Sequence, residues 1–130
     1  MRLWKLLLVA GLVVATVPVS RAAAGAIPFT EEAFEASQRQ GKRILVQITA
    51  SWSPVCARQR RIVGLLQEEP RFKDVTVYSI DFDARKDFVR EMGAQQQSTL
   101  IVFKGMVEKG RSVGENDPAA IESLLAKSAE

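Results

Sequence analysis

Histidine is absent from this 130-residue chain, and cysteine occurs once, at Cys56. Without histidine there is no Ser-His or Cys-His nucleophile pair and none of the usual zinc sites. One cysteine excludes an intramolecular disulfide and leaves either a free thiol or an intermolecular bridge. Acidic residues are missing from the first 24 positions, which hold Arg2, Lys5 and Arg21. Of the 18 basic residues, the other 15 face 15 acids. The pI near 9.3 therefore comes from the leader and gives no reason to expect nucleic-acid binding. Repeats, linkers and low-complexity tracts are lacking too. Asp81, Asp83 and Asp87 span a strand end and a helix start, where carboxylates cap. No metal and no cofactor are expected.

What is present begins with a secretory signal over residues 1–24. Arg2 and Lys5 give a positive start, Leu6 to Val17 is apolar, and the small residues Ala22, Ala23 and Ala24 precede a cleavage point after Ala24. A spanning helix needs roughly 20 apolar residues, and Pro18 ends this run earlier. The alternative is an uncleaved anchor, the one way the chain would meet a membrane. With cleavage, a single domain of residues 25–130 becomes periplasmic or secreted. Its hydrophobic fraction of 47% is enough to fill a core.

The elements follow from patterning. Thr30 is an N-cap followed by Glu31 and Glu32, with Phe29 and Phe34 placed as a hydrophobic staple and Gly41 as the stop. Ile44 to Thr49 is apolar on both faces and predicts a covered central strand. Ser53 and Pro54 start a helix whose buried stripe should be Ile62, Val63, Leu65 and Leu66, with Arg58, Arg60 and Arg61 on the other faces. Val75 to Phe82 is β-forming, and Asp83 to Met92 reads as a short helix stopped by Gly93. Gln95, Gln96 and Gln97 form a polar loop. Thr99–Lys104 and Val107–Val113 make a hairpin in which Gly110 is weak. Asp117 and Pro118 start a last helix with Ile121, Leu124 and Leu125 inward. The order is helix, strand, helix, strand, helix, strand, strand, helix. The early βαβ unit and late hairpin predict an α/β fold with a mixed sheet of four to five strands between helices.

The centre of the chain, Ala50-Ser51-Trp52-Ser53-Pro54-Val55-Cys56, resembles the active-site segment of the thioredoxin family. The resemblance runs from about Ile44 to Leu125. It includes Ser98-Thr99-Leu100-Ile101-Val102-Phe103-Lys104-Gly105, similar to the strand after the family's cis-proline, and Val113-Gly114, similar to a pair lining its substrate groove. It implies a thioredoxin-like fold and thiol-disulfide exchange with protein partners. Three positions depart from the pattern. Ser53 stands where the attacking cysteine would be, Ser98 where the cis-proline would be, and Gln47 where a buried acid would be. The peptide bond before Ser98 is therefore expected to be trans.

Exchange needs a thiolate that attacks and a second thiol that releases the product. With Ser53 in the first place, the expectation is a thiol-redox-related or peptide-binding module without dithiol turnover. The groove would be Trp52, Ser53, Pro54, Val55, Ser98 and Gly114, holding a protein or peptide segment. Two readings of Cys56 stand: a small buried hydrophobe, or a catalytic single thiol near the third position of a helix, with Arg58, Arg60 and Arg61 nearby. The second gives the alternative function, a monothiol oxidoreductase whose mixed disulfides are resolved by an external thiol. A monomer and a Cys56-linked dimer both fit.

Overall fold

The computed structural model describes residues 25–130. The predicted signal and its cleavage point lie outside the described residues. The described residues open with a two-residue strand, β1 (Ile27–Pro28), and then α1 (Glu31–Arg39). β2 (Arg43–Thr49) leads into α2 (Pro54–Gln67), and a 3-10 turn at Pro70–Phe72 carries the chain to β3 (Thr76–Asp81). α3 (Lys86–Glu91), the hairpin β4 (Thr99–Lys104) and β5 (Val107–Val113), α4 (Pro118–Ala126) and a final 3-10 turn at Lys127–Ala129 complete it. The five strands form one sheet in the order β1-β3-β2-β4-β5. β1, β3 and β2 are parallel, whereas β4 runs antiparallel to both β2 and β5. This is the mixed α/β architecture that the sequence predicts.

β2 lies at the centre because both its faces are apolar. Successive side chains alternate across a strand. Leu45 therefore joins Val77, Leu100 and Val102 under Val63, Leu66, Ile121 and Leu125 of α2 and α4. Ile44, Val46 and Ile48 face the other way, with Tyr78, Ile80 and Ile101, under Phe34 and Phe88 of α1 and α3. Gln47 shares the Leu45 face and is buried, a polar group in an apolar layer. The staple forms as expected, with the Phe29 and Phe34 rings 5.1 Å apart. Thr30, Ser53 and Asp117 each accept a backbone N–H three residues on, capping α1, α2 and α4.

Three expectations need correction. The described residues start with a strand, not a helix, because Phe29 N–H bonds to Ser79 O and lays Ile27–Pro28 along β3. α3 begins at Lys86, not Asp83, because the Asp81 carboxylate takes the N–H groups of both Asp83 and Ala84 and holds residues 82–85 in a turn. Leu65 is 60% exposed and is not part of the buried stripe. At 100° per residue, Ile62, Val63 and Leu66 point one way with Gln59 and Cys56, and Leu65 projects outside that arc.

The α1–β2 turn and the β4–β5 turn meet back to back. Gly105 donates to Lys42 O at 2.8 Å and has φ +55. A Cβ there would lie 3.2 Å from Gly41 Cα and 3.3 Å from Gln38 O, whereas a Cβ on Gly41, φ +68, would meet nothing. Gly41→Ala pays only the left-handed backbone cost of roughly 1–2 kcal/mol. Gly105→Ala adds a steric clash, so its urea midpoint should fall further than that of Gly41→Ala. Equal midpoints would show that the two turns do not press on one another.

Candidate functional site

The end of β2 delivers the chain to a tight turn in which Ser53 N–H bonds to Ala50 O at 3.2 Å. Ser53 has the extended backbone of an N-cap, and its Oγ accepts the Cys56 N–H at 3.2 Å. Pro54 occupies the first helical position, where its missing N–H is no loss. Cys56 thus lies at the third position of α2, with its side chain turned into the protein. It has no exposed surface.

Two hydrogen-bonding groups contact the sulfur directly, and Ser53 Oγ lies against one of them. Ser98 Oγ is 2.9 Å from Sγ, Ala50 N–H donates to Sγ at 3.4 Å, and Ser53 Oγ is 3.5 Å from Ser98 Oγ. Burial pushes the thiol pKa up. Hydrogen bonds from Ser53, Ser98, the Ala50 backbone and Thr49 outweigh it, so the net direction is down from the ordinary value. These bonds stabilise the thiolate because a charged acceptor gains more from a donor than a neutral one does.

Arginine charge is not the cause. Arg58 Nε donates to Asn116 O at 3.0 Å, and Arg60 Nη1 donates to Thr49 Oγ1. The sequence places these arginines near the sulfur; the structure turns Arg58 to the loop before α4 and Arg60 to the last residue of β2.

Ser98 is held as firmly as it holds. Its φ of +60 makes it the one non-glycine residue with positive φ among the described residues, where no peptide bond is cis. The bond before it is trans, as expected for a serine. Its carbonyl accepts both Gly114 N–H at 2.9 Å and Gln59 Nε2 at 3.1 Å, and Gln59 Nε2 also reaches Glu115 O at 2.7 Å. Gln59 therefore ties α2 to both loops of the groove. The sequence reading missed it. Its one signal was position: an amide three residues after Cys56, on the helix face that is otherwise apolar.

The remaining groove residues form the rim. Trp52 is 60% exposed, and its indole N–H donates to Asp83 Oδ2 at 2.8 Å. Pro54 and Gly114 are exposed and Val55 is half-buried. Val113, beside Gly114, adds an exposed apolar side chain. The structure therefore brings Ser53, Cys56 and Ser98 together beneath the surface, with Trp52, Pro54 and Gly114 around them. Such a site can hold an apolar side chain at its rim and present backbone at its loops. Its sulfur has no exposed surface and is in contact with Ser98 Oγ.

The Thioredoxin family matches residues 25–127. Thioredoxin-2 of Saccharomyces cerevisiae is 31% identical over 85 residues, which is 65% of this chain and 79% of the yeast protein. Thioredoxin-1 of the same yeast is 27% identical over 100 residues, 77% and 94% of the two chains. Among solved structures, Trxlp from Edwardsiella tarda EIB202 superposes with a TM-score of 0.73 at 37% identity, covering 75% of this chain and 95% of that one. Thioredoxin from Trypanosoma brucei brucei, at 17% identity and a TM-score of 0.70, shares the fold.

Ser98→Ala removes the 2.9 Å partner of Sγ. The midpoint of the pH profile for Cys56 alkylation in the folded protein should move up, while the profile in denaturant stays unchanged. An unmoved midpoint would mean that the Ser98 hydroxyl does not stabilise the thiolate.

Proposed function

The chain belongs to the thioredoxin family of thiol-disulfide oxidoreductases, and from that premise we propose that it is an exported member that holds partner segments instead of cycling their disulfides. Turnover needs an attacking thiolate that can be reached and a second thiol that resolves the mixed disulfide. Ser53 cannot form a disulfide, and no histidine is present to activate its hydroxyl. The observation that carries the reading is the sulfur's enclosure: Cys56 is without exposed surface, with Ser98 Oγ lying against it. The groove residues Trp52, Pro54, Val55 and Gly114 keep exposed surface above it, with Ser98 beneath them, and would seat an extended segment of a protein partner. That burial also favours a monomer over a Cys56-linked dimer.

A second reading has its own support. The net downward shift of the Cys56 thiol suits a monothiol oxidoreductase, in which Cys56 forms a mixed disulfide with a partner or glutathione and an external thiol releases it. That route requires the Ser98 loop to open, so its rate is set by the opening. Export rests on the character of residues 1–24, and the family match begins at residue 25, next to the expected cleavage point.

Reduction of insulin by dithiothreitol should be no faster with the protein than without it, and catalysis above that background would remove the holding reading. Ser53→Cys should gain partial activity if the groove is otherwise competent. A flat result there assigns the block to Ser98 and Gln47. The mass of the exported protein should match a chain beginning at Gly25, and a full-length chain in the membrane fraction would support an anchor instead.

A further inference from the structure

We propose that the partner segment is acidic and runs from the groove rim along the outer face of α2, over Arg58 and Arg61 to Leu65. This deepens the holding reading above and rests on it. At 100° per residue, Pro54, Arg58, Arg61 and Leu65 fall within a 60° arc, pointing away from the sheet. All four are exposed. The stripe therefore reads apolar, cationic, cationic, apolar, and it starts at the groove.

Its charge is uncompensated on α2 itself. That helix contains no acid, and its N-terminus adds the positive end of the helix dipole. Arg39, Arg43, Arg71, Arg85 and Arg111 each pair with a carboxylate. Arg58 and Arg61 have none within 4.0 Å among the described residues, and residues 1–24 contain no acid to supply one. Arg58 bonds through Nε to a neutral carbonyl, which anchors it beside the groove and leaves its terminal nitrogens without a partner among the described residues.

The acids beside the groove end accept local hydrogen bonds, and exposed Glu68 bounds the far end just past Leu65. Glu115 accepts the N–H groups of Asn116 and Asp117, Asp117 caps α4, and Asp83 accepts the Trp52 indole. Leu65, which the sequence placed in the core, is 60% exposed at the far end. An apolar–acidic–acidic–apolar segment complements that order. A purely anionic ligand would leave Trp52, Val113 and Leu65 uncovered, which points to a protein segment.

The spacing sets the probe. Along α2, Arg58, Arg61 and Leu65 lie about 6, 10.5 and 16.5 Å beyond Pro54. An extended chain presents a side chain to one face every ~6.6 Å. The probe is a fluorescein-labelled peptide with leucine, glutamate, glutamate and leucine at alternate positions, compared with an isomer carrying lysine for each glutamate. By anisotropy at about 20 mM salt, the acidic peptide should bind the purified protein at least about fivefold more tightly. The advantage should shrink near 1 M salt, where the screening length is about 3 Å. Arg58→Glu/Arg61→Glu should invert the preference. Both sites are exposed, and unchanged circular dichroism confirms the fold. Leu65→Ser should weaken the acidic peptide without inverting the preference. Equal binding of the two peptides, or tighter binding of the lysine peptide, overturns this inference while leaving the holding reading in place. Binding of neither peptide up to 1 mM removes both.

Discussion

The contact between the Cys56 thiol and the Ser98 hydroxyl, 2.9 Å long, couples the two halves of the sheet at the place where chemistry would occur. Cys56 belongs to the βαβ half of the chain and Ser98 opens the hairpin half. Their meeting depends on a backbone conformation that serine seldom adopts. The neighbours make that conformation tolerable. Gly114 and Gln59 both donate to the Ser98 carbonyl, and Gln59 comes from the same helix as the thiol. The arrangement is closed on itself: α2 supplies the sulfur, the loop supplies its cover, and α2 supplies the donor that fixes the cover. Strain of this kind persists only where the surroundings over-determine it.

Two opposing effects therefore act on one sulfur. Enclosure disfavours the thiolate and hydrogen bonding favours it, and the hydrogen bonds win. Ser98, one of the groups that make the sulfur acidic, also lies against it at 2.9 Å. Helix position alone left both readings of Cys56 open, a small buried hydrophobe and a reactive single thiol.

Most of the fold was legible because its signals are local. Thr30, Ser53 with Pro54, and Asp117 with Pro118 mark helix starts by chemistry that acts within four residues. β2, β4 and β5 declare themselves by composition, and the Phe29–Phe34 staple by spacing. The misses are tertiary in origin. β1 is two residues long, too short for any period, and exists only because β3 offers an edge. Leu65 was assigned by residue type when its angle on the helix forbade burial. At the candidate site, the sequence pattern points to Trp52, Ser53, Pro54, Val55, Cys56, Ser98 and Gly114, and the structure brings Ser53, Cys56 and Ser98 into contact. The Gln59 latch joins residues 39 and 56 positions apart, and the Trp52–Asp83 bond spans 31. Neither separation leaves a pattern in the sequence.

The Trp52 indole has a practical corollary. Beyond residue 24 it is the sole tryptophan of the chain, the other being Trp4. A processed molecule would therefore carry a single tryptophan emitter, placed at the mouth of its groove and tethered to a carboxylate. Excited on the red side of the absorption of the buried Tyr78, its emission colour and quenching would register events at that mouth without any attached dye.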